Sequence, residues 1–437
     1  MPPSISAQSP GARSPSTQDF IKALANDLLN QLRAQSFDGI GVTRESYGES
    51  ETRAMQLLAE VAIAEALLVE YDAAANLVIS LPGADPAKPF IACGSHLDSV
   101  PEGGNYDGAA GVVAGLLVLI SMRHQGLVPP RTIKVYALRG EESAWFGQAY
   151  MGSRALLGGF PVQDFDLPHR TSGKTLGSYM RAAGADIARI AKGEPLLDVN
   201  SVGCYFELHI EQGPVMVARK IPVGIVTGIR GNYRHPAAGC IGEAAHSGAV
   251  PRWLRKDAVF AFSEFVMRLD RHWQALLEQG QDLVVTVGVA NTNPAEHAMS
   301  RVPGKVSFAL EFRSESADLL ADFEQLACSE AAGIARLRGV HFELGEPRQT
   351  APATMTGTLV NLLCDICAAQ GTPYERMPSG AGHDAAVFAN HGIPSAMIFV
   401  RNEHGSHNPD EAMAMDDYFL GLDVLADALV KAAEVLQ

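Results

Sequence analysis

Cysteine is scarce in this chain: six residues in 437, at positions 93, 204, 240, 328, 364 and 367. So few, scattered over that length, do not make a disulfide framework; they fit free thiols in a reducing compartment, with the cytoplasm as the expected location. Cys364-Asp-Ile-Cys367 has redox-motif spacing but lies in an apolar helical pattern with no second pair, which argues against a redox or zinc-knuckle role. Long hydrophobic runs are also missing. The longest, such as 111–120, fall far short of the roughly 20 residues of a spanning helix. The first 18 residues are rich in Ser, Pro and Gln without an apolar stretch resembling a signal peptide, and read as a disordered tail. Basic charge is in deficit, with a net charge of −15, which argues against nucleic acid or an anionic membrane as the main partner. There is no internal repeat.

What remains is a globular composition, 47% hydrophobic and 19% charged, in a chain longer than one core usually supports. Two domains are expected. Residues 19–220 and 349–437 alternate strand, loop and helix, the pattern of an α/β domain with a mixed sheet. Helical spacing covers 19–37 and 50–70, strands 76–81, 89–93 and 132–138, and a helix 109–125. Residues 160–200 read as a surface insertion. From 221 to 348 the texture becomes strand, strand, helix, strand, strand, helix, strand, an inserted α+β domain of ferredoxin-like type.

The chain is organised around Cys93-Gly-Ser-His-Leu-Asp-Ser-Val-Pro-Glu-Gly-Gly-Asn-Tyr-Asp-Gly-Ala-Ala-Gly111. This loop follows a short apolar strand and precedes an apolar helix, the place where open α/β sheets put ligand sites. The bland alternative is a surface loop of ordinary turn residues. Other strand-end loops decide between the two. Together they offer His96, Asp107, Glu142, His209 and His407, an imidazole and carboxylate set suited to zinc, manganese, cobalt or nickel and lacking the cysteines of a structural zinc site. Five ligands suffice for two divalent metal ions if one carboxylate bridges. Such a pair, about 3.5–4 Å apart, polarises a carbonyl and activates water near neutral pH. Asp98 can hold the His96 imidazole from behind. Glu141 diverges from Glu142 and can act as a general base. Taken alone, the Glu-Glu pair would more simply cap a helix.

The motifs Gly94-Ser-His-Leu-Asp98, Gly104-Asn-Tyr-Asp-Gly108, Glu141-Glu142, Glu207-Leu-His-Ile-Glu-Gln-Gly213, Ser379-Gly-Ala-Gly-His-Asp384 and Gly405-Ser-His407 stand in this order. In that order the chain resembles the dinuclear amidohydrolases comprising N-carbamoyl-L-amino-acid hydrolases, β-ureidopropionases and allantoate amidohydrolases, related to aminoacylases and carboxypeptidase-like metallopeptidases. The resemblance runs from about Asp38 to the last helix. It implies that Asp107 bridges two metals, with His96 and His209 on one and Glu142 and His407 on the other, and that Glu141 is the base. The inserted domain would be a lid and dimerisation domain of a homodimer. His246, in Gly242-Glu-Ala-Ala-His-Ser-Gly248, would reach the partner's site and steady an oxyanion. Gln212, Arg313 and Ser300 match positions that bind the substrate carboxylate and its polar neighbours, and Gly382 and His383 a loop lining the site.

Three stretches depart from the family pattern. Ser300-Arg-Val-Pro303 has serine where asparagine is usual, Ser143-Ala-Trp-Phe146 replaces a Gly-Ser-Arg-Phe-like run, and Ala249-Val-Pro-Arg-Trp253 follows His246. The two added tryptophans and the lost amide suggest a bulkier or less polar substrate. The expected reaction is hydrolysis of a linear amide C–N bond, in N-carbamoyl amino acids or, alternatively, in N-acyl amino acids or dipeptides. A catalytically silent binding protein is disfavoured, because all five ligand positions and the base are present.

Overall fold

The computed structural model describes residues 15–435. Most of the expected N-terminal tail lies outside them; residues 15–18 belong to helix Pro15–Ser36. The chain divides into two compact units, one ending at Thr227 and resuming at Met355, the other Gly228–Thr354. The division falls a few residues inside the expected boundaries because strand Val223–Ile229 hydrogen-bonds to strand Ser395–Val400 in the first unit's sheet.

That sheet is mixed. Its centre is four parallel strands, in spatial order Ile133–Leu138, Phe90–His96, Val202–Ile210 and Ser395–Val400. Antiparallel neighbours flank them: Leu77–Leu81 and Leu68–Tyr71 on one side, Val223–Ile229 on the other. Every residue of Phe90–His96 is buried, as are all six of Ser395–Val400, which explains their continuous apolar runs in place of alternation. Helix Ala109–His124 packs on these strands and on helices Pro15–Ser36 and Met415–Val435. It is apolar all round and buried from Ala109 to Met122. Each fully buried Val or Leu side chain contributes about 1.5–3 kcal/mol.

Parallel strands put their carboxyl ends on one edge of the sheet, where α/β folds carry their sites. His96 ends its strand, His209 is the penultimate residue of its own, Glu141 and Glu142 follow Leu138 closely, and Asn402–His407 follow Val400. Asp107 is different, lying just before the Gly108 N-cap of the buried helix.

Residues 160–200 are not a loose surface insertion. Phe160, Leu176, Met180 and Ile190 close a small core of their own with Trp145, Phe146 and Met151. The second unit runs strand Gly231–Ile241, helix Ala258–Glu278, strands Val284–Asn291 and Lys305–Ser314, helix Ala317–Arg338 and strand His341–Glu343. The sheet is antiparallel, and numbering these four strands along the chain its order is 4-1-3-2, the βαββαβ pattern of ferredoxin-like folds. Among the described residues no helix is long and apolar enough to cross a membrane, and all six cysteines are free.

Candidate metal centre

The loop after Leu138 is built on buried charge. Arg139 pairs with Glu51 at 2.6 Å, and Glu51 also accepts the Gly140 amide at 3.0 Å. Gly140 then turns through φ +61°, and the next two amides, of Glu141 and Glu142, donate to the Asp98 carboxylate at 3.0 and 3.1 Å. Ser46 donates to Asp98 at 2.6 Å. Asp98 therefore does more than back His96: it fixes the paired glutamates. Buried Arg44 secures the same turn, giving its Nε proton to the Leu97 carbonyl and its amide to Ser99.

Three atoms then converge. His209 Nδ1 lies 2.9 Å from the Ile210 carbonyl, and His96 Nδ1 lies 3.1 Å from the Asp98 carbonyl. Each Nδ1 thus carries a proton, and both Nε2 atoms point inward, each offering a lone pair when its ring is neutral. They meet Asp107 Oδ1 at 3.1 Å from His209 and 3.5 Å from His96, with the two Nε2 atoms 3.5 Å apart. Oδ1 is buried without a hydrogen bond. On the other side His407 Nε2 lies 3.0 Å from Glu142 Oε1 and 3.4 Å from Asp107 Oδ2. Each triad, His96–Asp107–His209 and Asp107–Glu142–His407, holds its donor atoms within 4.8 Å of one another, with Asp107 common to both. Lone pairs facing lone pairs in a buried space call for a cation, and this donor set fits divalent metals of the zinc and manganese type.

The electrostatics agree. Burial opposes charge on Asp107, yet the imidazoles of His209, His407 and His96 hold its carboxyl well below the usual carboxylate range. His407, facing Asp107 and Glu142, is pushed up to about 11. Burial raises Glu142, and raises Glu141 well above its ordinary value. The cluster draws in positive charge, whether proton or metal.

Several supporting residues carried no sequence signal strong enough to find them. Ser406 donates toward Asp107 Oδ2 at 2.5 Å and lies 2.7 Å from Glu411, which in turn accepts the Tyr106 amide at 2.7 Å. Glu411 sits four residues after His407, an acid in a Ser-His-Asn-Pro-Asp-Glu run, and only the fold brings it behind Asp107. Glu207 accepts from Ser95 and from the Ala385 amide, both at 2.7 Å. The third donor group, Glu207–His209–His383, is therefore already engaged in positioning the His383 turn. His383 is kept well below its usual range by burial and bonds Ser379 at 2.9 Å.

Gln212 adopts a left-handed φ of 62° and donates its amide Nε2 to Asp107 Oδ2 at 2.9 Å, while its Oε1 is buried without a partner. His407 is likewise left-handed, at φ 61°. Three of the expected residues lie in the second unit. His246 is exposed, and its Nδ1 accepts the Gly248 and Ala249 amides at 3.2 Å, so its proton is on Nε2. Ser300 is adjacent to it, its carbonyl accepting the Ser247 amide at 2.8 Å. Arg313 pairs with Glu311 at 3.0 Å. Of the two tryptophans expected to suit a bulkier substrate, Trp145 is a core residue instead: it donates to the Ser99 carbonyl at 2.8 Å and stacks on His169. Trp253 is exposed.

The description of peptidase family M20/M25/M40 matches residues 92–431, which include every residue of the two triads. The chain belongs to this family. Among M20 relatives, it is 34% identical to an N-carbamoyl-L-amino acid amidohydrolase of Geobacillus stearothermophilus, over 90% of this chain and 94% of the relative. It is 30% identical to the allantoate amidohydrolase of Escherichia coli K12, over 90% and 93%. The solved structure of a hydantoinase/carbamoylase-family amidase from Burkholderia multivorans superposes with a TM-score of 0.84 at 27% identity, covering 94% of this chain and 98% of that one. The M20 fold and a hydrolase ancestry follow, as the motif order led one to expect.

Proposed function

We propose that this M20 protein is a binuclear metal-dependent amidohydrolase cleaving the ureido C–N bond of N-carbamoyl amino acids or related ureido acids. The observation that carries the reading is the meeting of two donor triads on Asp107, with Glu141 on the same loop as Glu142. The names of the Geobacillus and Escherichia relatives support the ureido linkage. His96, Asp107 and His209 would hold one divalent ion, and Asp107, Glu142 and His407 the other. Bound there, the pair would polarise the scissile carbonyl and lower the pKa of water.

The chain's own groups do the rest. Glu141 takes the proton from water and passes it to the leaving nitrogen. Its burial suits the task, since a carboxyl raised above its ordinary pKa holds that proton firmly enough to carry it. Asp98 keeps the Glu141 and Glu142 backbones in register. His246 offers an Nε2 proton to the developing oxyanion, across the interface of a homodimer formed through the inserted domain, and Arg313 with Ser300 receives the substrate carboxylate. Gly382 and His383 line the site.

Hydrolysis of N-acyl amino acids is the second reading, and Gln212 favours the first. Asp107 fixes its Nε2, so Oε1 must point away as an unpartnered acceptor. A ureido group has the N–H donors to satisfy it; an acetyl group has no donor on that side. The test is a screen of N-carbamoyl and N-acetyl amino acids after loading with manganese, cobalt or zinc. Ammonia release from the carbamoyl series is expected; acetate release alone would favour the second reading.

A further inference from the structure

Asn402 takes no part in the roles above, yet it joins two of the loops that carry them. It is fully buried, and its backbone is held from several sides. The preceding amide, of Arg401, donates to the Pro222 carbonyl at 3.1 Å. The Arg401 guanidinium reaches Asp417 at 2.8 Å, and Asn402 itself pairs with Met413 in a short antiparallel ladder. From that fixed point the carboxamide spans two turns. Oδ1 accepts the Gln212 amide at 3.0 Å, and Nδ2 donates to the Gly405 carbonyl at 2.6 Å. A backbone donor on one side and a backbone acceptor on the other leave a single orientation for the side chain.

Neither turn is one the chain adopts freely. Gln212, His404 and His407 are left-handed, at φ 62°, 66° and 61°, a region that residues other than glycine occupy rarely and at some cost. Gly405 is left-handed too, and a Cβ built on it would lie 3.6 Å from the Gln212 carbonyl oxygen, so the two turns are in contact. Beyond Asn402 the two arms meet again. Asp107 Oδ2 accepts from Gln212 Nε2 at 2.9 Å and from Ser406, the residue after Gly405, at 2.5 Å. Asn402, Gln212, Asp107 and residues 405–406 thus close one hydrogen-bonded circuit, with His407 next along the chain. Losing the carboxamide opens that circuit on the side away from Asp107 and leaves the Gln212 N–H and the Gly405 C=O without the partner that held them.

We propose that Asn402 is a positioning residue: its carboxamide locks the Gln212 turn to the 404–407 turn, and so fixes both the Gln212 Oε1 acceptor and the seat of His407. This rests on the ureido-hydrolase reading and adds to it a side chain that acts through two others.

The experiment replaces Asn402 by leucine, which has the same branching and makes no hydrogen bond, and reads two quantities. One is the ratio of kcat/KM for the N-acetyl and N-carbamoyl derivatives of one amino acid at saturating metal. The other is the manganese affinity of chelated protein, followed by calorimetry. The acetyl-to-carbamoyl ratio is expected to rise about tenfold, the scale of one hydrogen bond in a buried site. One of the two ions is expected to bind about 10–100-fold more weakly, the usual cost of removing a group that holds a ligand in place. A purely structural side chain would lower kcat/KM for both substrates together and leave the ratio alone. In a Gln212→Leu background, replacing Asn402 as well is expected not to move the ratio further. If melting curves show that the leucine variant does not fold, Asn402→Ser, shorter and still polar, is read in its place. A folded variant in which either quantity keeps its wild-type value overturns the proposal, and so does a second rise of the ratio in the Gln212→Leu background. Failure of the underlying reading shows separately, as a wild type that releases no ammonia from any N-carbamoyl acid.

Discussion

Glu141 and Glu142 are neighbours in sequence, and Asp98 separates them. Its two carboxylate oxygens each take one of their amides, which holds the backbone while the side chains diverge; only Glu142 reaches His407. Replacing Glu141 by glutamine preserves size and leaves both triads intact but removes the proposed proton acceptor. Turnover is expected to fall by about 10²–10⁴-fold with metal content unchanged. Near wild-type turnover, with elemental analysis showing full metal, would remove Glu141 from the chemistry. At this scale the sequence was most legible where a residue type has few alternative uses. His96, Asp107, Glu142, His209 and His407 have distinctive donors in loops rich in glycine. Ser46, Ser406 and Glu411 do not stand out, because hydroxyls and acids are common and their partners lie far along the chain: Glu411 meets the Tyr106 amide some three hundred residues away. Trp145, which as an added tryptophan suggests a bulkier substrate, instead satisfies its indole proton on the Ser99 carbonyl inside the core.

Among the elements, helix Ala109–His124 and its neighbouring strands fix how closely the site loops approach. Their burial makes them easy to find: the spacing predicts a helix over 109–125, and it runs Ala109–His124. Short or polar elements were harder. Strand Leu68–Tyr71 is mostly exposed and was absorbed into the preceding helix, whose apolar spacing continues past its actual end at Ala64. The packing distance itself rests on Gly111, where a Cβ would lie 2.0 Å from the Leu208 carbonyl oxygen. His209, a proposed ligand, is the next residue, so Gly111→Ala pushes the strand that carries it. The substitution is expected to destabilise the protein by about 1–3 kcal/mol in denaturant melts, the usual cost of overpacking, and to weaken metal retention. A variant as stable as wild type would mean that the helix can shift without cost.

At the scale of the whole molecule the notable feature is buried acid. Burial pushes Asp384 and Glu411 each up to about 7, and Asp72 up to about 6. A carboxyl raised in the folded state binds its proton there and releases it on unfolding. Its contribution is therefore complete at acidic pH, below the unfolded value, and is lost as pH rises through the folded one. Metal-free protein is expected to melt at a higher temperature at pH 6 than at pH 8. The opposite slope would show that these acids are stabilised in their charged forms. The central claim, that the Asp107 cluster holds two divalent ions which the reaction needs, is open to one direct measurement. Chelated, metal-free protein is titrated with manganese or zinc while bound metal per chain and ammonia release from an N-carbamoyl amino acid are followed together. Activity is expected to be absent at the start and to rise until about two ions are bound per chain, the count given by two triads sharing one carboxylate. Full activity in protein shown by elemental analysis to hold no metal would contradict the account.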